Sequence, residues 1–223
     1  PALLVQVADR LASSERPAFV VGAEVDRDGA WEPLVQLAER HAAAVYNAPM
    51  SARAGFPEDH QLFMGFLPAV REQIVQTLAG HDFVLVIGAP VFTYHVEGEG
   101  PHLPSGAELC QLTEDPDAAA RAALGTSLVG SVSLALLDLL SADAPVARPP
   151  PSARPRVPRA EPSDPMSQAY VLQTLAELRM PEDILVEEAP TARIQMHAHL
   201  PILRPRTFYT MASGGLGYSM PAA

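Results

Sequence analysis

Eight of the chain's 23 prolines fall between positions 145 and 165, with Arg148, Arg154, Arg156 and Arg159 among them. A proline ring locks φ and removes a backbone N–H, so neither a helix interior nor a paired strand survives at this density. The stretch 143–165 is therefore expected to run as a stiff, extended connector. It divides the 223 residues into a unit over 1–142 and a shorter one over 166–223. The four arginines read as solvated charges on the connector rather than as an anion site.

Within 1–142, helical and strand periodicities alternate. Leu3, Leu4, Val7, Ala8 and Leu11 form an i, i+3, i+4 stripe, as an amphipathic helix requires. The apolar run 17–21, closed by Gly22, reads as a buried parallel strand. Trp31, Leu34, Leu37, Ala38 and His41 share one face of the next helix, and 44–48 forms a second strand. A loop of some fifteen residues is expected next, and Pro68 is expected to open a helix that Gly80 closes. The run 82–88 is a clean buried strand, and 109–112 is another. Asp115 followed by Pro116 has the chemistry of a helix start. A short strand at 127–129 and a helix over 132–140 complete the unit. Such alternation implies a doubly wound parallel α/β sheet covered on both faces.

After the connector a second α/β unit begins, with a helix over 168–178 and a strand over 183–187. A turn at Glu188, Ala189, Pro190 and Thr191 leads to a helix through 195–200. A strand over 207–212 then runs into the glycines Gly214, Gly215 and Gly217 and the helix start 218–223. Two strand-to-helix turns at strand C-terminal ends are where open α/β sheets bind ligands. The second unit is expected to be the truncated start of a larger domain.

The formal charge of −11 argues against nucleic-acid binding, which needs a basic face. A single cysteine, Cys110, excludes an intrachain disulfide, and its alternating surroundings suggest a structural thiol. No stretch approaches the roughly 20 apolar residues of a membrane span, and the first residues lack a signal-peptide pattern. A cytoplasmic protein is the expectation. The opening residues read as mid-helix, which suggests an edge within a longer chain.

Spacing alone leaves the glycine turn open between ligand contact and close helix–sheet packing. The dinucleotide pattern GxGxxG fails here, and no GxxxxGK[ST] phosphate loop occurs. His197 and His199, at i and i+2 on a helix, do not share a face as metal ligands would. His41 reads as a core residue, and no metal ligand is assigned.

Two segments carry a more specific signal: GHDFVLVIGAPVFTYH over 80–95 and GGLGYSMPAA over 214–223, in that order with the proline connector between them. Together they resemble the thiamin-diphosphate-dependent decarboxylase family, and within it the members that cleave benzoylformate to benzaldehyde and carbon dioxide. The resemblance covers the middle domain and the start of the diphosphate-binding domain. It implies a 2-keto acid substrate, thiamin diphosphate and Mg2+ as cofactors of the intact protein, and a homotetramer built as a dimer of dimers. It further implies that His95 relays protons. The Gly214 carbonyl would bond the cofactor's amino group, and Leu216, beside Gly215, would act as the bulky wedge beneath the cofactor. The turn from Glu188 to Thr191 would help hold the diphosphate, with Thr191 its one hydroxyl, and Met211 would line the pocket. The pyrimidine domain and the magnesium-binding segment of such enzymes have no counterpart in these residues, so the chain by itself is expected to be inactive. A carboligase resembling acetolactate synthase, or a noncatalytic nucleotide-binding or assembly module, are the alternatives.

Overall fold

The computed structural model describes residues 2–96, 98–143, 145–211 and 215–223. The first unit comprises α1 (Ala2–Ser13), β1 (Pro17–Val21), α2 (Ala23–Arg27), α3 (Trp31–His41), β2 (Ala44–Asn47), β3 (Phe63–Phe66) and α4 (Arg71–Thr77). It continues with β4 (Phe83–Ile87), β5 (Glu108–Thr113), α5 (Pro116–Ala120), β6 (Thr126–Val129) and α6 (Val132–Ser141). The six strands are parallel in the order β3-β2-β1-β4-β5-β6.

Strands β1 and β4 are buried at every position, and their period-2 alternation feeds two separate cores. Phe19, Val21, Phe83, Leu85 and Ile87 pack with Leu4, Leu34, Leu37 and Leu136 on one face. Ala18, Val20, Val84 and Val86 pack with Ile74, Leu78 and Leu103 on the other. The predicted stripe of α3 is buried intact. Asp115 caps α5 by accepting the Asp117 N–H, with Pro116 in the first turn.

The winding reverses between β1 and β4, where each strand ends in glycine. A Cβ on Gly22 would lie 2.5 Å from the Gly88 carbonyl, and Gly88 itself has φ +64. The two turns therefore close on each other. Beside them Glu24 buries its carboxylate against the Thr113 hydroxyl (2.9 Å) and the Glu114 N–H (2.7 Å). Glu24, Arg27 and Asp115 are among the residues that line the remaining crevice of about 210 Å3.

The expected fifteen-residue loop after β2 contains the edge strand β3. Its pattern is hard to read because Gly65 has φ +112 and the register with β2 shifts at Val45/Tyr46. Helix α4 starts at Arg71, not Pro68, because Val70 is held extended (φ −135, ψ 126) by a parallel bridge to Val96. The short helix α2 was also not foreseen. His41 is a core residue, its pKa pushed down to about 4 by burial and by Arg148 and Arg40. Cys110 is half-buried, and burial pushes its thiol pKa up.

The connector carries no helix or strand among its described residues up to 163. Arg154 and Arg159 are exposed, as expected, but each has a partner, whereas Arg148 is half-buried. Arg148 donates to the Leu11 and Ala12 carbonyls at the end of α1. These orphan acceptors of a helix C-terminus favour a cation. Arg154 lies 5.1 Å above the Phe63 ring, and Arg159 pairs with Glu177 at 2.7 Å. Arg156 is exposed.

The second unit comprises α7 (Gln168–Leu178), β7 (Leu185–Glu187), α8 (Arg193–His199), β8 (Phe208–Thr210) and α9 (Ser219–Ala222), with β7 and β8 parallel. Strand β8 is shorter than the 207–212 expected, and position 212 lies outside the described residues. This unit docks on the segment after β2. Trp31 and Ala54 share an apolar cluster with Met196, Leu200, Ile202 and Phe208. Asp26, 1% exposed, accepts from the Arg53 guanidinium (2.9 Å) and the Arg206 N–H (2.6 Å). Glu58, 2% exposed, accepts the Ile202 N–H (3.0 Å), and the His197 Nδ1 lies 2.9 Å from its Oε1 and 3.1 Å from its Oε2.

Removing one partner of such a buried set strands the other. Glu58→Ala is expected to lower the unfolding free energy by about 3 kcal/mol, and Glu58→Gln, which keeps an acceptor for Ile202, by less. Urea denaturation checks this. A loss under about 1 kcal/mol for Glu58→Ala would mean that apolar packing alone docks the units.

Candidate active site at the paired strand ends

Parallel pairing of β7 and β8 sets Glu187 opposite Thr210, so the turns that follow both strands start side by side. Glu187 is buried at this edge. It accepts from the Thr210 hydroxyl (2.7 Å), the Arg193 guanidinium (2.7 and 3.0 Å) and the Ala189 N–H. Arg193, in the first turn of α8, also donates to the Thr210 hydroxyl at 2.8 Å. Burial pushes the Glu187 carboxyl up, but the bonds from Thr210, Ala189 and Arg193 outweigh it and hold the pKa below the ordinary glutamate value.

Glu188 points its carboxylate to the other turn. It accepts the N–H groups of Ser219 (2.8 Å) and Gly217, which hold its pKa low. It thereby caps α9 and braces the glycine turn against β7. The remaining predicted residues lie around this brace. Thr191 is exposed just ahead of α8, and Met211 is half-buried at the end of β8. Gly215 and Leu216 are exposed on the glycine turn, and Leu216 presents 80% of its surface. Gly214 lies outside the described residues.

His95 belongs to the first unit, on the segment that leaves β4. Its side chain is exposed, and its N–H donates to the Ala69 carbonyl at 2.9 Å. Its imidazole forms no hydrogen bond with another described residue. The structure thus joins Glu188 to the glycine turn by hydrogen bonds, whereas among the described residues His95 is bonded within its own unit. Among the described residues, no group of three or more His, Cys, Asp or Glu side chains is placed to hold a metal ion.

Glu187, Arg193 and Thr210 were not foreseen as a unit. A signal was present, since Leu185 and Glu187 share one face of a strand by period 2. An acid in line with apolar residues on one face is buried with partners or not at all. His197, set aside as an ordinary helix residue, is instead buried against Glu58, with its ring 4.2 Å from Phe66 and 5.1 Å from Phe208.

A six-stranded parallel sheet, a proline connector and a second α/β unit with two juxtaposed strand-end turns match one class of enzyme. Residues 4–139 match the family model described as thiamine pyrophosphate enzyme, central domain, and the chain belongs to this family. It is 41% identical to benzoylformate decarboxylase of Pseudomonas aeruginosa, over the whole of this chain and 42% of that protein. Its fold superposes on the benzoylformate decarboxylase of Polynucleobacter necessarius with a TM-score of 0.93 at 36% identity, over 100% of this chain and 42% of the other. A thiamin diphosphate-dependent enzyme from Mycobacterium smegmatis gives a TM-score of 0.94 at 35% identity, over 99% and 43%. The chain spans about two fifths of the length of these relatives.

Because the folded state lowers the pKa of Glu187, it binds that proton more weakly than the unfolded chain does. The resulting stabilisation is complete above the ordinary glutamate value of about 4.3 and fades as pH falls through the lowered folded value. Glu187→Gln should therefore flatten the acid limb of stability. Thermal midpoints measured from about pH 5 down to about pH 3 should converge with those of the unaltered protein. Parallel limbs would show that Glu187 is not the group responsible.

Proposed function

We propose that this chain supplies the central domain and the opening part of the diphosphate-binding domain of a 2-keto acid decarboxylase. The intact protein would convert benzoylformate to benzaldehyde and carbon dioxide, with thiamin diphosphate and Mg2+, as a homotetramer. What carries this reading is likeness along the whole chain to relatives named benzoylformate decarboxylase. The pyrimidine-binding and metal-binding parts would lie in the portion of the relatives that this chain does not span, which is why these residues alone should not turn over.

The residues at the paired strand ends fit the cofactor. An exposed leucine on a braced, glycine-flanked turn offers an apolar support for a ring system, and glycine neighbours let that ring approach the backbone. Thr191 offers a hydroxyl, and the first amides of α8 beside it offer donors to an anion. When bound, thiamin diphosphate supplies the electron sink that lets a 2-keto acid lose carbon dioxide.

The chain's own residues would do the rest. Leu216 would set the cofactor's conformation by bulk, with Gly215 beside it, and the Gly214 carbonyl would bond the cofactor's amino group. Glu188 holds that turn in place, and Thr191 orients the diphosphate. Met211 shapes the pocket wall at the end of β8. His95, exposed on the first unit, carries a proton to or from the substrate, a task that suits an imidazole near neutral pH.

Assay of the intact protein with both cofactors tests this. Benzoylformate should yield benzaldehyde. His95→Ala should lower kcat by roughly 10²-fold or more, and Leu216→Ala should lower kcat while cofactor still binds. A longer acyloin acid as product would instead place the protein with the carboligases, and absence of turnover would sink the substrate assignment.

A further inference from the structure

The segment bearing His95 is held by four consecutive residues of the neighbouring helix start. Ala69 accepts the His95 N–H at 2.9 Å. Val70 forms a parallel bridge with Val96. Arg71, itself buried, donates to the Gly100 carbonyl at 3.2 Å and lies 5.6 Å from the centre of the Tyr94 ring. Glu72 accepts the Glu99 N–H at 2.8 Å.

The fit on Glu72 is close. A Cβ on Gly98 would lie 2.5 Å from both Glu72 carboxylate oxygens, and Gly98 has φ +69. The positive φ of Gly98 favours glycine where the segment passes this carboxylate. On the far side, the Tyr94 hydroxyl lies 2.9 Å from the His102 Nδ1, tying the two limbs of the segment together. The residues immediately before and after His95 are thus both fixed from the start of α4, while the imidazole stays exposed.

Pinning the backbone on both sides of a free imidazole is what placing a proton-transfer group demands. A segment anchored only at its ends would let the ring wander, and displacement by an ångström is costly to proton transfer. The contacts come from four consecutive residues, Ala69 to Glu72, and reach both sides of His95, so together they restrict the position of the segment. Val70 is extended where it makes this contact, and α4 begins at the next residue, Arg71.

We propose that Arg71 and Glu72 are positioning residues that act through the His95 segment to hold the imidazole where it meets substrate. This rests on the reading of His95 as the proton-transfer group given above. Glu72 is the residue to test, because its side chain lies at the surface and its loss should leave the fold intact.

The experiment is a double-mutant cycle in the intact protein with thiamin diphosphate, Mg2+ and benzoylformate. Glu72→Ala should lower kcat by about tenfold or more, with KM little changed and the thermal midpoint preserved. Glu72→Gln, which retains an oxygen acceptor for the Glu99 N–H, should restore most of the rate. In the His95→Ala background, Glu72→Ala should cost nothing further. Amide exchange at Glu99 should quicken in Glu72→Ala and stay slow in Glu72→Gln. If His95→Ala is slow but Glu72→Ala is normal, or if the two losses multiply, the positioning role is overturned while the role of His95 stands. If His95→Ala is as fast as the unaltered protein, both fall together.

Discussion

Two carboxylates decide how the halves of this chain meet. Asp26 and Glu58, both from the central domain and both buried, each accept a backbone N–H from the second unit, at Arg206 and Ile202. A buried carboxylate costs several kcal/mol unless it is fully hydrogen-bonded. Separating the units would leave these two acids without those donors and would also open the cluster around Trp31, Met196 and Phe208. The Thr210 N–H bonded to the Ala52 carbonyl (3.0 Å) extends this seam to the strand end that adjoins Glu187. The placement of the paired turns relative to the central sheet therefore depends on these acids.

The same device recurs through the molecule. Glu24 takes the Glu114 N–H, Asp28 the Ser133 N–H, Glu72 the Glu99 N–H, Asp82 those of Glu15 and Arg16, and Glu188 that of Ser219. In each case a carboxylate ties down a backbone distant in sequence. Asp82 shows the strength of the effect. Burial pushes its carboxyl up, yet bonds from Ser14, Glu15 and Arg16 bring its pKa down to about 2. Part of the chain's negative charge is thus structural, and acidity as a bulk property conceals that role.

This arrangement gives function a division of labour. The central sheet is rigid at its middle strands and carries its exposed histidine on a segment that leaves the end of β4. The smaller sheet carries the exposed leucine on a turn that follows β8. A carboxylate braces each segment by accepting a backbone N–H, Glu72 from Glu99 in one case and Glu188 from Ser219 in the other. Exposed chemistry on braced turns is how a rigid scaffold presents mobile reactants to one another.

The sequence by itself determined the local architecture. Uninterrupted apolar runs at 17–21 and 83–87 specified buried parallel strands, the Trp31 to His41 stripe specified a helix face, and proline density at 145–165 specified a connector. These features depend on neighbours within a few residues, and hydrophobic periodicity records such neighbours directly. The segments 80–95 and 214–223 were also legible as those of a thiamin diphosphate enzyme. Only the tertiary structure decided what depends on distant partners. It paired Glu187 with Thr210 and Arg193, buried His197 on Glu58, gave Arg148, Arg154 and Arg159 partners, and bridged Val70 to Val96. A charged side chain looks the same in sequence whether solvated or buried, and its state is set by which remote N–H or guanidinium the fold brings within about 3 Å.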